Sequence, residues 1–180
     1  MDLIEQARHR TLVARCQMGD RQALEGLFLR HNPRLVYYLR RMLSRDEVDD
    51  VQQEVWLTVI RRIGRLRRPE AFTVWLYQIA RSKALNRLAD RCGGLPLDQE
   101  NVPEEAADEQ EPVFSASDAA RIHEGLAQLN PIHREVLVLR FMENLSYEQI
   151  AEVIHRNTGT VRSRLHYAKR ALLQQLEKPS

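Results

Sequence analysis

The sequence predicts an all-α protein of two small helical domains joined by an acidic, flexible linker, the second domain built on a helix-turn-helix. Three observations predict it. Apolar residues recur every three or four positions through the long segments, the signature of amphipathic helices. The charge is unevenly shared, although the net value is only +2. Residues 1–92 hold 18 Lys/Arg against 11 Asp/Glu, residues 93–118 hold none against 8, and residues 119–180 hold 9 against 6. Finally, residues 145–165 read as helix, tight turn, helix. The expected division is therefore 1–92, 93–118 and 119–180.

In the first domain, a helix over 3–18 has Leu3, Ile4, Ala7, Leu12 and Val13 as apolar positions. Gly19 ends it and Asp20 caps the next. That helix carries Ala23, Leu24, Leu27 and Phe28, is interrupted or kinked at Pro33, and continues with Leu35, Val36, Leu39, Met42 and Leu43. Ser44 to Asp46 form a break and cap. A long helix from about Glu47 to Ile63 repeats Val48, Val51, Val55, Val59 and Ile63. Its first turns are acidic and its last turn holds Arg61 and Arg62, an order that suits the helix dipole. The acidic patch of Glu47, Asp49, Asp50 and Glu54 exceeds what capping needs. Gly64 ends the helix, the loop 65–70 is basic, and Pro69 starts another helix. There, Phe72, Leu76, Ile79, Ala80 and Leu88 are expected to face the core, with Trp75 and Tyr77 near its edge. Arg81, Lys83, Asn86, Arg87 and Arg91 are expected on the exposed side. Bases interleaved with aromatics suit single-stranded nucleic acid, whose bases stack and whose phosphates pair with cations.

Residues 93–118 contain Gly93-Gly94, three prolines and few large apolar residues, so no packed element is expected. Ser117 or Asp118 then caps a helix to Leu129, and Asn130-Pro131 starts another that runs to Met142, with Asn144 left-handed beyond it.

In the helix-turn-helix, Ser146 and Gln149 form a capping box, Ile150, Ala151 and Ile154 share a face, and Asn157 caps the second helix. Val161, Leu165, Ala168, Leu172 and Leu176 make one buried stripe. At about 100° per residue the opposite face carries Arg162, Ser163, His166, Tyr167 and Arg170. An apolar back and a basic, hydrogen-bonding front of this size fit a DNA major groove. Small polar residues, Thr158, Gly159, Thr160 and Ser163, cluster at the end where a recognition helix approaches the bases.

Composition excludes much else. No apolar run approaches the roughly 18 residues of a membrane span, and Met1 to Glu5 do not begin a signal peptide, so a cytoplasmic protein with no direct membrane insertion is expected. Cys16 and Cys92 stand far apart with no metal-ligand spacing, and each is expected to be an ordinary buried small residue, with oxidation sensing as the alternative. The chain lacks a P-loop, a nucleophile elbow, a zinc-protease motif and a dinucleotide fingerprint. No catalytic residue, metal or cofactor is expected.

Taken together, the pieces resemble bacterial RNA polymerase sigma factors of the extracytoplasmic function type, group IV of the sigma-70 superfamily, from about Leu12 to Leu176. Residues 129–137, 145–152 and 159–166 look like that family's promoter −35 reading domain. Asp50-Val51-Gln52-Gln53-Glu54 resembles its acidic polymerase-binding helix, and residues 75–81 resemble its −10 reading and melting helix. The chain departs from the family in having Asn144 and His155 where glycine is usual, Thr73-Val74 where Arg-Thr is common before the tryptophan, and an unusual loop at Arg67 to Glu70. Both former glycine sites are expected to keep left-handed backbone, which Asn and His tolerate better than most residues.

The resemblance implies a transcription initiation factor that binds core RNA polymerase and directs it to promoters. It implies polymerase docking by Asp49, Asp50, Gln53 and Glu54. Single-stranded −10 DNA would meet Arg67, Arg68, Phe72, Trp75, Arg81, Lys83, Asn86 and Arg87. The −35 duplex would meet Thr158, Thr160, Arg162, Ser163, Arg164, His166, Lys169 and Arg170. It further implies an anti-sigma partner and a linker directed toward the polymerase's RNA exit channel. The alternative is a stand-alone helix-turn-helix regulator, distinguished by DNA binding that does not require polymerase.

Overall fold

The computed structural model describes residues 3–91 and 119–176, and among these every regular element is helical. Two compact units divide between Leu95 and Pro96. The expected linker, Cys92 and the Ser117 or Asp118 cap lie outside the described residues.

The first unit holds α1 (Leu3–Gln17), α2 (Arg21–Met42), α3 (Arg45–Arg62) and α4 (Phe72–Arg91), with short 3-10 turns at Ile63–Arg65 and Pro69–Ala71 between the last two. Gly19 ends α1 at φ +86°, and the Asp20 N–H reaches back to the Arg15 carbonyl at 3.1 Å, which closes a Schellman cap. The Asp20 carboxylate then accepts from the Gln22 and Ala23 N–H groups and starts α2. Both expectations for this junction hold. The core stripe of α3 is as the periodicity requires: Val48, Val51, Val55, Val59 and Ile63 are all buried. Trp56 joins it, packed on Phe28, and donates to the Asn32 side-chain oxygen at 3.0 Å.

Four details differ from expectation. Helix α2 is not interrupted at Pro33, which lies inside it. Pro33 and Leu29 both lie on its exposed side, away from the core packing of the helix. Helix α3 begins at Arg45 because the Glu47 carboxylate accepts from both the Ser44 N–H and the Ser44 hydroxyl. Leu3 and Ile4 are exposed, and α1 instead buries His9, Val13 and Cys16. Tyr77 is fully buried, edge-on to Tyr38, rather than at the rim of the core.

The second unit holds α5 (Ala119–Gln128), α6 (Pro131–Leu137), α7 (Tyr147–Ile154) and α8 (Thr158–Leu176). Asn130 caps α6 through the Ile132 N–H. The expected helix to Met142 finishes as a π turn over Val138–Met142. Asn144 follows with φ 53°, left-handed as predicted. Helices α5, α6 and α7 all pack on α8, which is the centre of this unit.

Candidate nucleic-acid interface

The helix-turn-helix consists of α7, a turn at His155 to Asn157, and α8. Ser146 and Gln149 form the reciprocal capping box: the Gln149 N–H donates to the serine hydroxyl, and the Ser146 N–H donates to the glutamine side-chain oxygen at 2.9 Å. The Ser146 hydroxyl also donates to Glu148, which holds that carboxyl below its usual range. His155 takes the left-handed conformation, φ 54° and ψ 48°, and the Arg156 N–H closes on the Ala151 carbonyl. This is the same Schellman geometry that Gly19 gives α1, achieved here without glycine. Asn157 caps α8 by accepting from the Thr160 N–H at 2.7 Å.

Along α8, Val161, Leu165, Ala168 and Leu172 are buried. Thr158, Arg162 and Arg170 are exposed, while Thr160, His166 and Lys169 are half-buried. His166 lies edge-on to Tyr167, and the Lys169 ammonium sits over the Phe141 ring. Two expected contacts are corrected. Ser163 is 2% exposed and Arg164 1%, so neither has surface to offer a duplex. Arg164 lies only about 60° round the helix from Val161, on the edge of the apolar stripe. Three helices packed around α8 widen its covered arc beyond that stripe.

In the first unit, Asp49, Asp50 and Gln53 are exposed on α3. Glu54 faces α4 as well. Its Oε2 lies 3.0 Å from Lys83 Nζ and its Oε1 3.5 Å from Arg87 Nη2, so one carboxylate holds two cations one helical turn apart. Arg67, Arg68 and Asn86 are exposed, and Trp75 is half-buried against Phe72. Phe72 is fully buried, as its core position required, and Arg81 is 7% exposed, so the −10 contacts expected of both and the exposed place expected of Arg81 are corrected. Phe72 is a core ring, packed between His9 and His31 at centroid distances of 5.7 and 5.1 Å.

Three features escape sequence reasoning. His9 and His31 meet through their Nε2 atoms at 2.9 Å inside the core. Burial, and then the neighbouring His9, push the His31 imidazole down to about 3. The Gln17 amide donates to the carbonyls of Ile63 and Leu66 at 3.1 and 2.6 Å. The third is the grip of Glu54 on Lys83 and Arg87. No periodicity marks any of them, since each joins residues far apart in the chain. Burial raises the Cys16 thiol to about 11, which keeps it protonated and unreactive. Among the described residues no group of three or more His, Cys, Asp or Glu is arranged to hold a metal, and no helix is long and apolar enough to cross a membrane.

Comparison with known proteins gives two family matches: Sigma-70 region 2 over residues 27–92 and Sigma-70 region 4 over residues 119–172. The RNA polymerase sigma-H factor of Pseudomonas aeruginosa is 33% identical, with 97% of each chain covered. The ECF RNA polymerase sigma-E factor of Haemophilus influenzae is 32% identical over 97% of this chain and 98% of its own. Among solved structures, CnrH in complex with the cytosolic domain of CnrY matches with a TM-score of 0.67 at 24% identity, covering 96% of this chain and 99% of that one. The sigma factor RpoE of Bartonella quintana, in complex with the anti-sigma factor NepR, matches with a TM-score of 0.66 at 20% identity, covering 87% and 98%.

Proposed function

The chain belongs to the extracytoplasmic function branch of the sigma-70 family, and we propose that its two units divide the work of promoter selection as follows. As a member it is a transcription initiation factor, not an enzyme: it binds core RNA polymerase and directs it to promoters. The first unit, residues 1–92, docks on polymerase through Asp49, Asp50, Gln53 and Glu54. Exposed carboxylates on one helix suit a basic partner surface. The same unit holds the unpaired −10 strand with Arg67, Arg68, Trp75 and Asn86, joined by Lys83 and Arg87 once these leave Glu54. The second unit, residues 119–180, reads the −35 duplex with Arg162 and Arg170, supported by Thr158, Thr160, His166 and Lys169. Arginine pairs with guanine edges or with phosphates. The acidic segment 93–118 connects them and runs toward the RNA exit channel.

The observation that carries this reading is the presence, on one chain and in this order, of an exposed acidic helix face and a capped helix-turn-helix with a basic front, in a protein that matches its relatives along 97% of its length. Control by an anti-sigma partner and action in the cytoplasm follow the family's pattern. Run-off transcription with purified core polymerase on sheared genomic DNA of the source organism tests the whole. Discrete transcripts that require the protein are expected, and their start sites give the −10 and −35 sequences. Absence of transcripts together with absence of co-elution with core polymerase would shift the assignment to a stand-alone DNA-binding regulator.

A further inference from the structure

Among the described residues, the loop that presents Arg67 and Arg68 carries few internal bonds of its own. The Leu66 N–H closes on the Ile63 carbonyl, and the Ala71 N–H closes on the Arg68 carbonyl. The brace comes from elsewhere. Gln17, the last residue of α1, lies 46 and 49 positions away in the chain from the two carbonyls it binds. Only the NH2 end of the amide can donate, so two carbonyl acceptors fix which way the side chain points. Both of its hydrogens are used, and they fasten the first residue of the 3-10 turn Ile63–Arg65 and Leu66, the residue that follows it and leads into Arg67. The Schellman cap at Gly19 and the Asp20 cap fix the backbone just beyond Gln17, and α1 packs along both 3-10 turns. Helix α1 lies before the residues 27–92 that match the region 2 family model, so the brace stands outside the matched segment.

We propose that Gln17 is a positioning residue for −10 recognition, holding the Ile63–Arg68 loop so that Arg67 and Arg68 meet the unpaired strand in a single register. This rests on the reading of that loop as part of the −10 site. A base contact discriminates only when its donors are held in place, whereas a loosened loop still attracts phosphate by charge. Loss of the clamp therefore lowers sequence preference more than total binding.

The test uses holoenzyme reconstituted from core polymerase and the full chain. The probe is a fluorescein-labelled nontemplate oligonucleotide carrying the −10 element mapped by run-off transcription, measured against a shuffled strand of the same composition. Gln17→Met keeps the volume and removes the donors, Gln17→Glu turns an acceptor toward two carbonyls, and Gln17→Lys restores a donor. The Met and Glu variants are expected to lose about tenfold in preference for the −10 strand, the size of one misplaced base contact, while the Lys variant recovers most of it. A bracing role in stability alone would lower the unfolding midpoint of the Met variant and leave the preference ratio intact, and that result overturns the proposal. Arg67→Ala and Arg68→Ala separate the two claims. If they lower the ratio and the Gln17 variants do not, this inference fails alone. If none of them changes it, the loop does not read the −10 strand and both fall.

Discussion

Acidification from about pH 7.5 to about pH 5.5 should destabilise the first unit by an amount the His9–His31 pair sets. His31 is 7% exposed, faces His9 at 2.9 Å, and lies near the positive charges of Arg30 and Arg34. Its imidazole is therefore neutral in the folded state down to about 3, while in the unfolded chain it titrates at the ordinary 6.5. The native value is the lower one, so the unfolded state binds the extra proton. Stability is thus full above the unfolded value and falls as pH drops through the window from 6.5 toward 3. One pH unit below the unfolded value costs about 1.4 kcal/mol for His31, hardly changed by the native value provided it lies well below the working pH. His9 is lowered in the same direction, by burial first and then by Arg30, and adds to the slope. The loss is a sizeable part of the roughly 5–15 kcal/mol that holds a domain folded. The measurement is favourable because both tryptophans of the chain, Trp56 and Trp75, lie in this unit, and the other four histidines belong to the second. Urea unfolding followed by tryptophan fluorescence at the two pH values therefore reports on this pair. His31→Gln should flatten the dependence. A wild-type stability that is the same at both values, or a His31→Gln slope equal to the wild type's, would refute the reasoning.

Three further outcomes follow from the second unit. Arg162→Ala should weaken −35 duplex binding by about 1–3 kcal/mol if the side chain reads a base, seen as a loss confined to the preferred sequence in fluorescence anisotropy; a loss uniform across sequences identifies a phosphate contact. Arg164→Ala should behave differently, lowering the thermal midpoint of the second unit with a cost of about 2–4 kcal/mol for emptying a fully buried site, read by circular dichroism, and leaving sequence preference unchanged in the folded fraction. His155→Gly should stabilise the same unit by up to about 1 kcal/mol in urea unfolding, because glycine adopts φ 54° without the strain of a side chain.

The helices were legible because apolar periodicity and capping are local. Ser146 with Gln149, Asp20 after Gly19, and the valine stripe of α3 each need only neighbours within a few residues, and each stands where the sequence puts it. Asn144 was legible as a residue that tolerates the left-handed stop after a helix, and His155 through the family resemblance, which usually has glycine at that turn. Burial around a helix was less so. Periodicity finds the middle of a covered arc, not its width, and Arg81, Ser163 and Arg164 lie at the margin that packing partners decide. A basic side chain suggests exposure by its chemistry alone, whatever arc of the helix the packing covers. Phe72 carried two expectations, a core position from periodicity and a −10 contact from the resemblance, and only the first holds. The His9 and His31 rings on its two sides complete its burial.

Under the proposed division of work, Glu54 joins the two tasks of the first unit. It cannot hold Lys83 and Arg87 and also give its full charge to a polymerase cation, and those two cations give less of their charge to a phosphate while they hold Glu54. On the proposed reading, polymerase that takes the carboxylate frees Lys83 and Arg87 for the −10 strand, and a strand that takes them frees the carboxylate. The linkage is reciprocal by necessity. Its size is bounded by exposure: the Glu54 side chain is 45% exposed and its partners 35% each, so each pair contributes at most about 1 kcal/mol and in the usual case about half that. The two together give a coupling of about fivefold. Glu54→Gln should therefore do two things in a competition assay with core polymerase. It should weaken binding to core, and it should shrink the extra affinity for core that a saturating −10 oligonucleotide confers on the wild type. An equal oligonucleotide effect in both proteins would mean that polymerase and DNA do not compete for this ion cluster, and that Lys83 and Arg87 serve to fasten α4 to α3 instead.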